Sequence, residues 1–389
     1  MYDKNNHRME KEIKIAVVIK TEGLEYDDRV RKEILTIEKL FPYIKFKIFA
    51  MLPDNKELEG VTEYGIPYKT VYIPSRDKFP SAKRVFLKAY QFYKVVKEYL
   101  DEFDAVWAAN VDTSLIPMLY KCRRMVWDLH ELPMRYLSNP LKKRILRFIF
   151  NKCRIVIHAN PQREQYLESL GVVTNPKKHY ALRNFPNFDD IDQEYDERFF
   201  CFKEWKGNRR CVYLQGLDGD RRAAYESVKA VLRTEDMIAV VVGRFDEKSK
   251  SHLELEFGNE LGERVMFMGR IPQLKIPQYV RLCYTTLVFY KNTSPNNYYC
   301  EANRFYQSVL MGLPVVVGNN PPMRDLVEQY GFGISIDDDG CDVQRIVEGI
   351  SNVVSRYDEY KRNIEKYKGY LLWNNQEAYI KQMIEALFD

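Results

Sequence analysis

Short, continuous apolar runs recur along this chain, each followed by a polar loop and then by a longer stretch with apolar residues at helical spacing. Uninterrupted apolar runs bounded by turn residues are the mark of strands buried on both faces. Their alternation with helical stretches predicts parallel βαβ units. In the first half the pattern predicts strands over 13–19, 45–51, 71–73, 104–108, 125–128 and 154–159, with helices over 29–40 and 82–101. Residues 189–205 are acidic and aromatic without clear periodicity and read as an interdomain connection. The alternation then restarts with strands over 210–215, 237–242, 265–268, 285–290, 314–318 and 333–337, and a helix over 223–232. A final amphipathic segment, 370–388, contains Trp373 and predicts one long helix packed on the body. The expected fold class is α/β, with two Rossmann-like parallel-sheet domains facing each other across a ligand cleft. Domain boundaries are expected at 1–190 and 191–369, followed by a terminal helix over 370–389.

Composition narrows the function. Hydrophobic residues make up 46% and charged residues 30%, which fits a folded globular protein rather than a disordered one. No apolar run approaches the roughly 18 residues that span a bilayer, and the polar start of the chain reads as lacking a signal peptide. The expected location is therefore cytoplasmic. Seven cysteines without a C-x-x-C pair read as reduced thiols, not as a zinc site or disulfide framework. A net charge of +5, from 60 basic and 55 acidic residues well mixed, permits an anionic ligand but does not argue for nucleic acid. One basic and apolar stretch, Leu141 to Arg154, has two readings. It is either an amphipathic helix against the core or a peripheral contact with the inner face of a membrane.

The richest segment is Thr293 to Gly318. An apolar run before it predicts a strand, and a polar loop leads into a short helix begun by Asn303 and ended by Gly312. Asn is a good N-cap, and a helix N-terminus just past a parallel strand is a natural seat for a phosphate. Arg304, Gln307 and Ser308 are spaced to share one helix face. Other strand ends carry a related signature. Gln215-Gly216-Leu217-Asp218-Gly219-Asp220-Arg221-Arg222 follows the first strand of the second half, and Gly243-Arg244 and Gly269-Arg270-Ile271 follow the next two. Glycine lets the backbone approach a ligand and arginine neutralises phosphate charge, so the three together suggest an electropositive rim. Each taken alone is equally a surface turn.

In the first half, Trp127-Asp128-Leu129-His130-Glu131-Leu132 closes a strand. His130 there is a candidate for hydrogen bonding to substrate or for proton transfer, or else a structural histidine. Asp27-Asp28-Arg29-Val30 opens the first helix, where acidic residues also suit the helix dipole. Neither a GxGxxG fingerprint nor a Walker A loop is present, which removes support from dehydrogenase and P-loop readings.

These motifs resemble those of bacterial glycosyltransferases with the GT-B fold, specifically the retaining family 4. Asp27-x-Arg29-Val30, Phe103-Asp104-Ala105-Val106 with Asp112-Thr113, Asp128-Leu129-His130-Glu131-Leu132, Leu182-Arg183-Asn184-Phe185-Pro186, Tyr213-Leu214-Gln215-Gly216 and Asn303-Arg304-Phe305-Tyr306-Gln307 with Gly312-Leu313-Pro314-Val315-Val316 carry the resemblance. It implies a terminal helix that crosses back to the first domain and sugar transfer from a UDP- or GDP-linked donor to a glycan or lipid-linked acceptor, with no metal or cofactor. The resemblance puts His130, Arg221 and Arg304 in catalytic roles. It puts Gly216, Arg222, Gly243, Arg270, Ile271, Tyr299, Glu301, Asn303, Gln307 and Ser308 on the donor side, and Gly23, Asp27, Asp112 and Glu131 on the acceptor side. The chain departs from the family at its paired glutamates, whose positions are Tyr299 and Gln307, with Glu301 nearby but out of register. A non-catalytic nucleotide-sugar-binding subunit and a nucleotide-sugar epimerase of the same fold therefore stay open as alternatives.

Overall fold

The computed structural model describes residues 12–25, 27–80, 83–187 and 195–389. The chain divides into two compact units, Met1–Arg183 with Gln376–Asp389, and Asn184–Asn375.

The first unit is built on strands β1 (Ile13–Lys20), β2 (Ile44–Met51), β3 (Glu59–Val61), β4 (Pro67–Thr70), β5 (Ala105–Ala109), β6 (Met125–Leu129), β7 (Ile155–His158) and β8 (His179–Ala181). They form one sheet in the order β3-β4-β2-β1-β5-β6-β7-β8. The β3–β4 pair is antiparallel and every other pair is parallel. In the central register Val17 lies opposite Ile48 on one side and Trp107 on the other. All five residues of β5 and of β6 are buried, which is why these strands read as continuous apolar runs. The pattern missed β3, β4 and β8, which are short and carry few buried residues. The run expected as a strand at Val71–Ile73 instead carries the chain from β4 into the short helix Pro74–Lys78, which proline starts.

The C-terminal segment is not one long helix. Two 3-10 turns, Lys368–Leu371 and Trp373–Gln376, precede the α-helix Glu377–Phe388. The break is held locally: the Asn375 amide donates to Gly369 O at 2.6 Å, and Trp373 N–H donates to Pro186 O at 3.1 Å. Trp373 thus belongs to the second unit. The helix after it belongs to the first, where Lys39 meets Glu377 at 2.7 Å and Arg154 donates to Ala386 O at 2.9 Å.

The second unit contains β9 (Arg210–Leu217), β10 (Met237–Phe245), β11 (Val265–Gly269), β12 (Thr285–Val288), β13 (Val315–Val317) and β14 (Gly333–Ser335). Its sheet is parallel throughout, in the order β11-β10-β9-β12-β13-β14. Strand side chains alternate between two cores. Val212 and Leu214 join Leu287, Ile346 and Ile350 on one face, while Cys211 and Tyr213 join Phe202 and Tyr279 on the other. Part of the stretch read as a connection, 188–194, lies outside the described residues. The rest includes the helix Glu197–Lys206, capped by Asp196, with only Phe199 and Phe202 buried. Two buried positions are too few to show as a period.

Among the parallel strands of each sheet the order reverses once, between β1 and β5 and between β9 and β12; the antiparallel β3 is added at the edge of the first. At such a point the loops at the carboxyl ends of adjacent strands diverge and leave a crevice.

Candidate functional site

In the second unit the reversal holds a cleft of about 310 Å³, lined by Gln215, Gly216, Arg222, Tyr290, Glu301, Ala302, Asn303 and Arg304. Gly216, next to last in β9, has φ +59°, in the left-handed region that favours glycine. A Cβ there would lie 2.8 Å from Arg222 Nη1. Arg222 donates to Gly216 O and meets Asp218 at 3.4 Å. The backbone of the same loop is tied by Lys291, whose N–H donates to Arg221 O at 2.8 Å and whose ammonium binds Asp220 and Glu226. Burial pulls the Lys291 pKa down, but those two carboxylates outweigh it and hold it above the usual lysine range.

Arg304 forms the floor. It donates to Gln215 O at 2.9 Å and Phe289 O at 3.2 Å, bridging the ends of β9 and β12. The Tyr290 ring lies against both arginines, 5.2 Å from Arg304 and 5.8 Å from Arg222. Burial, and then the charge of Arg222, lower the Arg304 pKa, although a guanidinium stays charged at any ordinary pH. Arg304 forms no ion pair among the described residues. Two cations converge here, with Asp218 in ion-pair range of Arg222 and Glu301 also in the lining.

The helix behind them is Asn303–Leu310, and its N-cap is Ala302, which supplies no side-chain acceptor. Asn303 is therefore the first helical residue and not the cap. Its Oδ1 accepts instead from the Asn184 amide at 3.2 Å. With no capping side chain the first N–H groups of the helix are left for other acceptors. Ser308 is fully buried and Gln307 half-buried, and neither lines the cleft. Tyr299 lies against Tyr298. Gly243 has φ +92°, and a Cβ there would meet the Gly216 backbone at 3.4 Å, so it packs behind the cleft loop. Arg221 and Arg270 are exposed and Ile271 is in the core, all outside the cleft lining. Tyr290 and Asn320 were missed by sequence reasoning. Buried Asn320 donates to Tyr290 O and Asn297 O, holding the polar loop after β12.

In the first unit, Asp128 is completely buried at the end of β6 and His130 follows it. His130 Nε2 is 2.8 Å from Asp128 Oδ2. Arg29 grips the same carboxylate, through Nη2 to Oδ1 at 2.8 Å and Nε to Oδ2 at 3.2 Å. Burial alone would raise the Asp128 pKa, but Arg29 and His130 override it and hold it well below the usual range. Glu33 lies 3.1 Å from Arg29 Nε, and burial, then the charge of Asp128, push its carboxyl well above the usual range. Asp27 caps the helix Asp28–Leu40 by accepting from Val30 N–H. Gly23 turns the loop after β1 with Thr21, and Asp112, after β5, meets Lys20 at 3.1 Å. Glu131 is exposed. A second histidine pair is buried in β7 and β8: His158 Nε2 is 2.8 Å from His179 Nδ1. Burial, then Lys178, lower the His179 pKa to about 4.

No protein-family model matches the sequence, and no curated protein matches it. Solved structures do match. Sucrose-phosphate synthase from Thermosynechococcus elongatus has a TM-score of 0.75 at 14% identity, over 97% of this chain and 99% of its own. Anabaena HepE in complex with UDP and glucose has a TM-score of 0.69 at 14% identity, over 96% and 98%. An E. coli structure titled trehalose-6-phosphate, bound with UDP-2-fluoro glucose, has a TM-score of 0.69 at 9% identity, over 95% and 98%. The fold class is accordingly GT-B, with two Rossmann-like parallel-sheet domains.

Proposed function

We propose that this protein is a glycosyltransferase that moves a sugar from a nucleoside-diphosphate sugar to a glycan or lipid-linked acceptor. The observation that carries the reading is the pair Arg222 and Arg304, set on one tyrosine ring beside an uncapped helix start at a strand-order reversal. Cations and N–H groups fixed before reaction stabilise charge that develops on a leaving diphosphate, usually the largest catalytic term. In the reaction the bond from the anomeric carbon to the diphosphate oxygen breaks. The acceptor oxygen bonds that carbon, and its hydroxyl proton passes to the departing diphosphate, which is released as the nucleoside diphosphate.

The Anabaena HepE structures are complexes with UDP and glucose or with UDP-glucose, which favours a UDP donor over a GDP one. We assign the diphosphate to Arg222 and Arg304 rather than to exposed Arg221. His130 is assigned to the sugar or acceptor, within the family 4 relationship the motifs suggest. Retention of configuration and independence of a metal ion are parts of the same proposal. A thermal-shift screen against UDP-, GDP-, dTDP- and CMP-sugars tests the donor, because binding stabilises by mass action. Acceptor-dependent release of UDP, unchanged by EDTA, is the expected activity. Tight donor binding with no turnover on any glycan or lipid acceptor would favour the binding-subunit alternative, and isomerised donor formed without acceptor would favour the epimerase.

Peripheral contact with an anionic membrane face belongs to the lipid-linked form of this reading. The helix Pro140–Lys152 buries Leu146, Ile149 and Phe150 but exposes Leu141 and Phe148 among Lys142, Arg144 and Arg147. Among the described residues no helix is long and apolar enough to cross a membrane. Co-sedimentation with phosphatidylglycerol vesicles, absent with phosphatidylcholine alone, is the expected result.

A further inference from the structure

We propose that Asp128 is a positioning residue for His130: its carboxylate, clamped by Arg29, fixes the imidazole with the proton on Nε2 and leaves the Nδ1 lone pair to accept from a substrate hydroxyl. The substrate half of this statement rests on the sugar-transfer reading. The tautomer does not.

The clamp joins two sequence motifs, Asp27-x-Arg29 and Asp128-x-His130, across 99 positions of chain. Arg29 cannot swing away, because its Nη1 donates to Leu182 O at 2.8 Å while Nε and Nη2 hold both oxygens of Asp128. Burial, then the charge of Asp128, push the Glu33 carboxyl well above its usual range, so it competes weakly with Asp128 for the Arg29 charge despite lying 3.1 Å from Nε. An ionised carboxylate only accepts hydrogen bonds. The His130 nitrogen 2.8 Å from it is therefore the one that carries the proton, and in a neutral ring the other nitrogen accepts. Arg163 fixes the peptide end of the residue by donating to His130 O. The His130 side chain is the outer end of this chain of contacts, 19% exposed against 0% for Asp128.

A purely stabilising role explains the arrangement poorly. Replacing a buried ion pair by packed apolar residues is often neutral or favourable, because desolvation offsets the attraction. A fixed tautomer is something an apolar replacement cannot supply. Partners that orient metal-bound histidines are worth about 10- to 100-fold when removed, and an effect of that order is expected here.

The test is ¹⁵N NMR of the imidazoles in the full chain, with the His130 signal assigned by its loss in His130→Gln. In the wild type, at a pH where the ring is uncharged, a single tautomer protonated at Nε2 is expected. An Nδ1-protonated ring, or an even mixture, overturns the proposal without any variant being made. In Asp128→Asn the single pattern should give way to a mixture, and kcat for sugar transfer should fall about 10- to 100-fold. The dissociation constant for UDP, read in the same preparation, should change less than twofold. A variant that loses activity while His130 keeps its tautomer also overturns the proposal. Because Asp128→Asn removes a buried charge and could fail to fold, Arg29→Lys is the second variant: it keeps the cation, loses the two-pronged grip, and should show a partial version of both effects. If no donor and acceptor give turnover, but the wild-type tautomer is single and the variants mix it, the positioning role stands and the sugar-transfer reading falls.

Discussion

Arg304→Gln separates binding from architecture. In the unliganded protein this guanidinium is buried and makes two hydrogen bonds, to Gln215 O and Phe289 O. Bonds from a charged donor contribute about 1.5–3 kcal/mol each in gross terms. Against them stands the cost of burying a cation that forms no ion pair among the described residues, several kcal/mol after relaxation. Glutamine keeps one amide donor for those carbonyls and removes the charge. The two effects are of similar size, so unliganded stability should move by less than about 1 kcal/mol. Binding is not balanced in this way. A lost charge-assisted bond to phosphate, about 2–3 kcal/mol, raises the UDP dissociation constant about 30- to 150-fold. At UDP of about 100 times the wild-type constant, ligand stabilisation should drop from about 2.7 to about 0.9 kcal/mol or less. Calorimetric titration gives the first number, and denaturant melts with and without UDP give the second. A dissociation constant within threefold of wild type, or a loss of unliganded stability above about 3 kcal/mol, would show that Arg304 is a strut between strands and not a phosphate ligand.

Further outcomes follow from the same geometry. Glu301 lines the cleft and Gln307 does not, so Glu301→Gln should weaken UDP-sugar binding about tenfold while Gln307→Glu leaves it unchanged by titration; the reverse ranking would put the donor contact at Gln307. Gly216→Ala puts a Cβ 2.8 Å from Arg222 Nη1 at φ +59°, which should cost about 1–2 kcal/mol of stability in denaturant melts and weaken UDP binding several-fold by displacing that arginine. The His179 pKa of about 4 gives a signed pH dependence. The unfolded residue takes up a proton as pH falls through about 6.5 and the folded one resists to about 4, so stability is lost across that window, by about 2 kcal/mol between pH 7 and 5. His179→Gln should shrink the loss in the urea unfolding profile by about that amount, leaving the part due to His158, whose pKa burial also lowers; an unchanged profile would mean that His179 contributes nothing to it.

Legibility in the sequence followed burial. Strands such as β5, buried on both faces, stood out as apolar runs, whereas Pro67–Thr70 and His179–Ala181 are short and mostly half-buried and left no such trace. The Gly216 loop was readable because its turn needs glycine and its position after β9 is fixed by strand order. Asn303 was misplaced by one position: its side chain suits a cap, but backbone geometry gives that place to Ala302. Helical spacing correctly grouped Arg304 with Ser308, yet that face points into the body, and Arg304 reaches the cleft only through its length. Tyr290 read as the last residue of a strand because an apolar run cannot reveal that its end bends into a crevice. The Arg29–Asp128 clamp was out of reach for a different reason. Each partner sat in a recognised motif, but pairing across 99 residues is a property of the sheet order and not of either motif.

The two units treat a buried arginine in opposite ways, and the contrast supports the proposed place of the anion. Arg29 is matched inside the protein: the Asp128 carboxylate takes two of its nitrogens and a backbone carbonyl takes the third. A phosphate arriving there would have to displace a buried carboxylate, which would then itself be buried without its partner. Arg304 has carbonyl dipoles but no ion-pair partner among the described residues, and Arg222 beside it lowers its pKa further. Like charges held this close are unfavourable until an anion sits between them. The residues that keep them there, Gly216, Tyr290 and the Lys291 clamp on the loop, raise the energy of the empty site and so favour its occupied form. A cation pair kept under repulsion at a strand-order reversal is thus an argument for a diphosphate in the second unit, and the matched charge of Arg29 is the argument against one in the first.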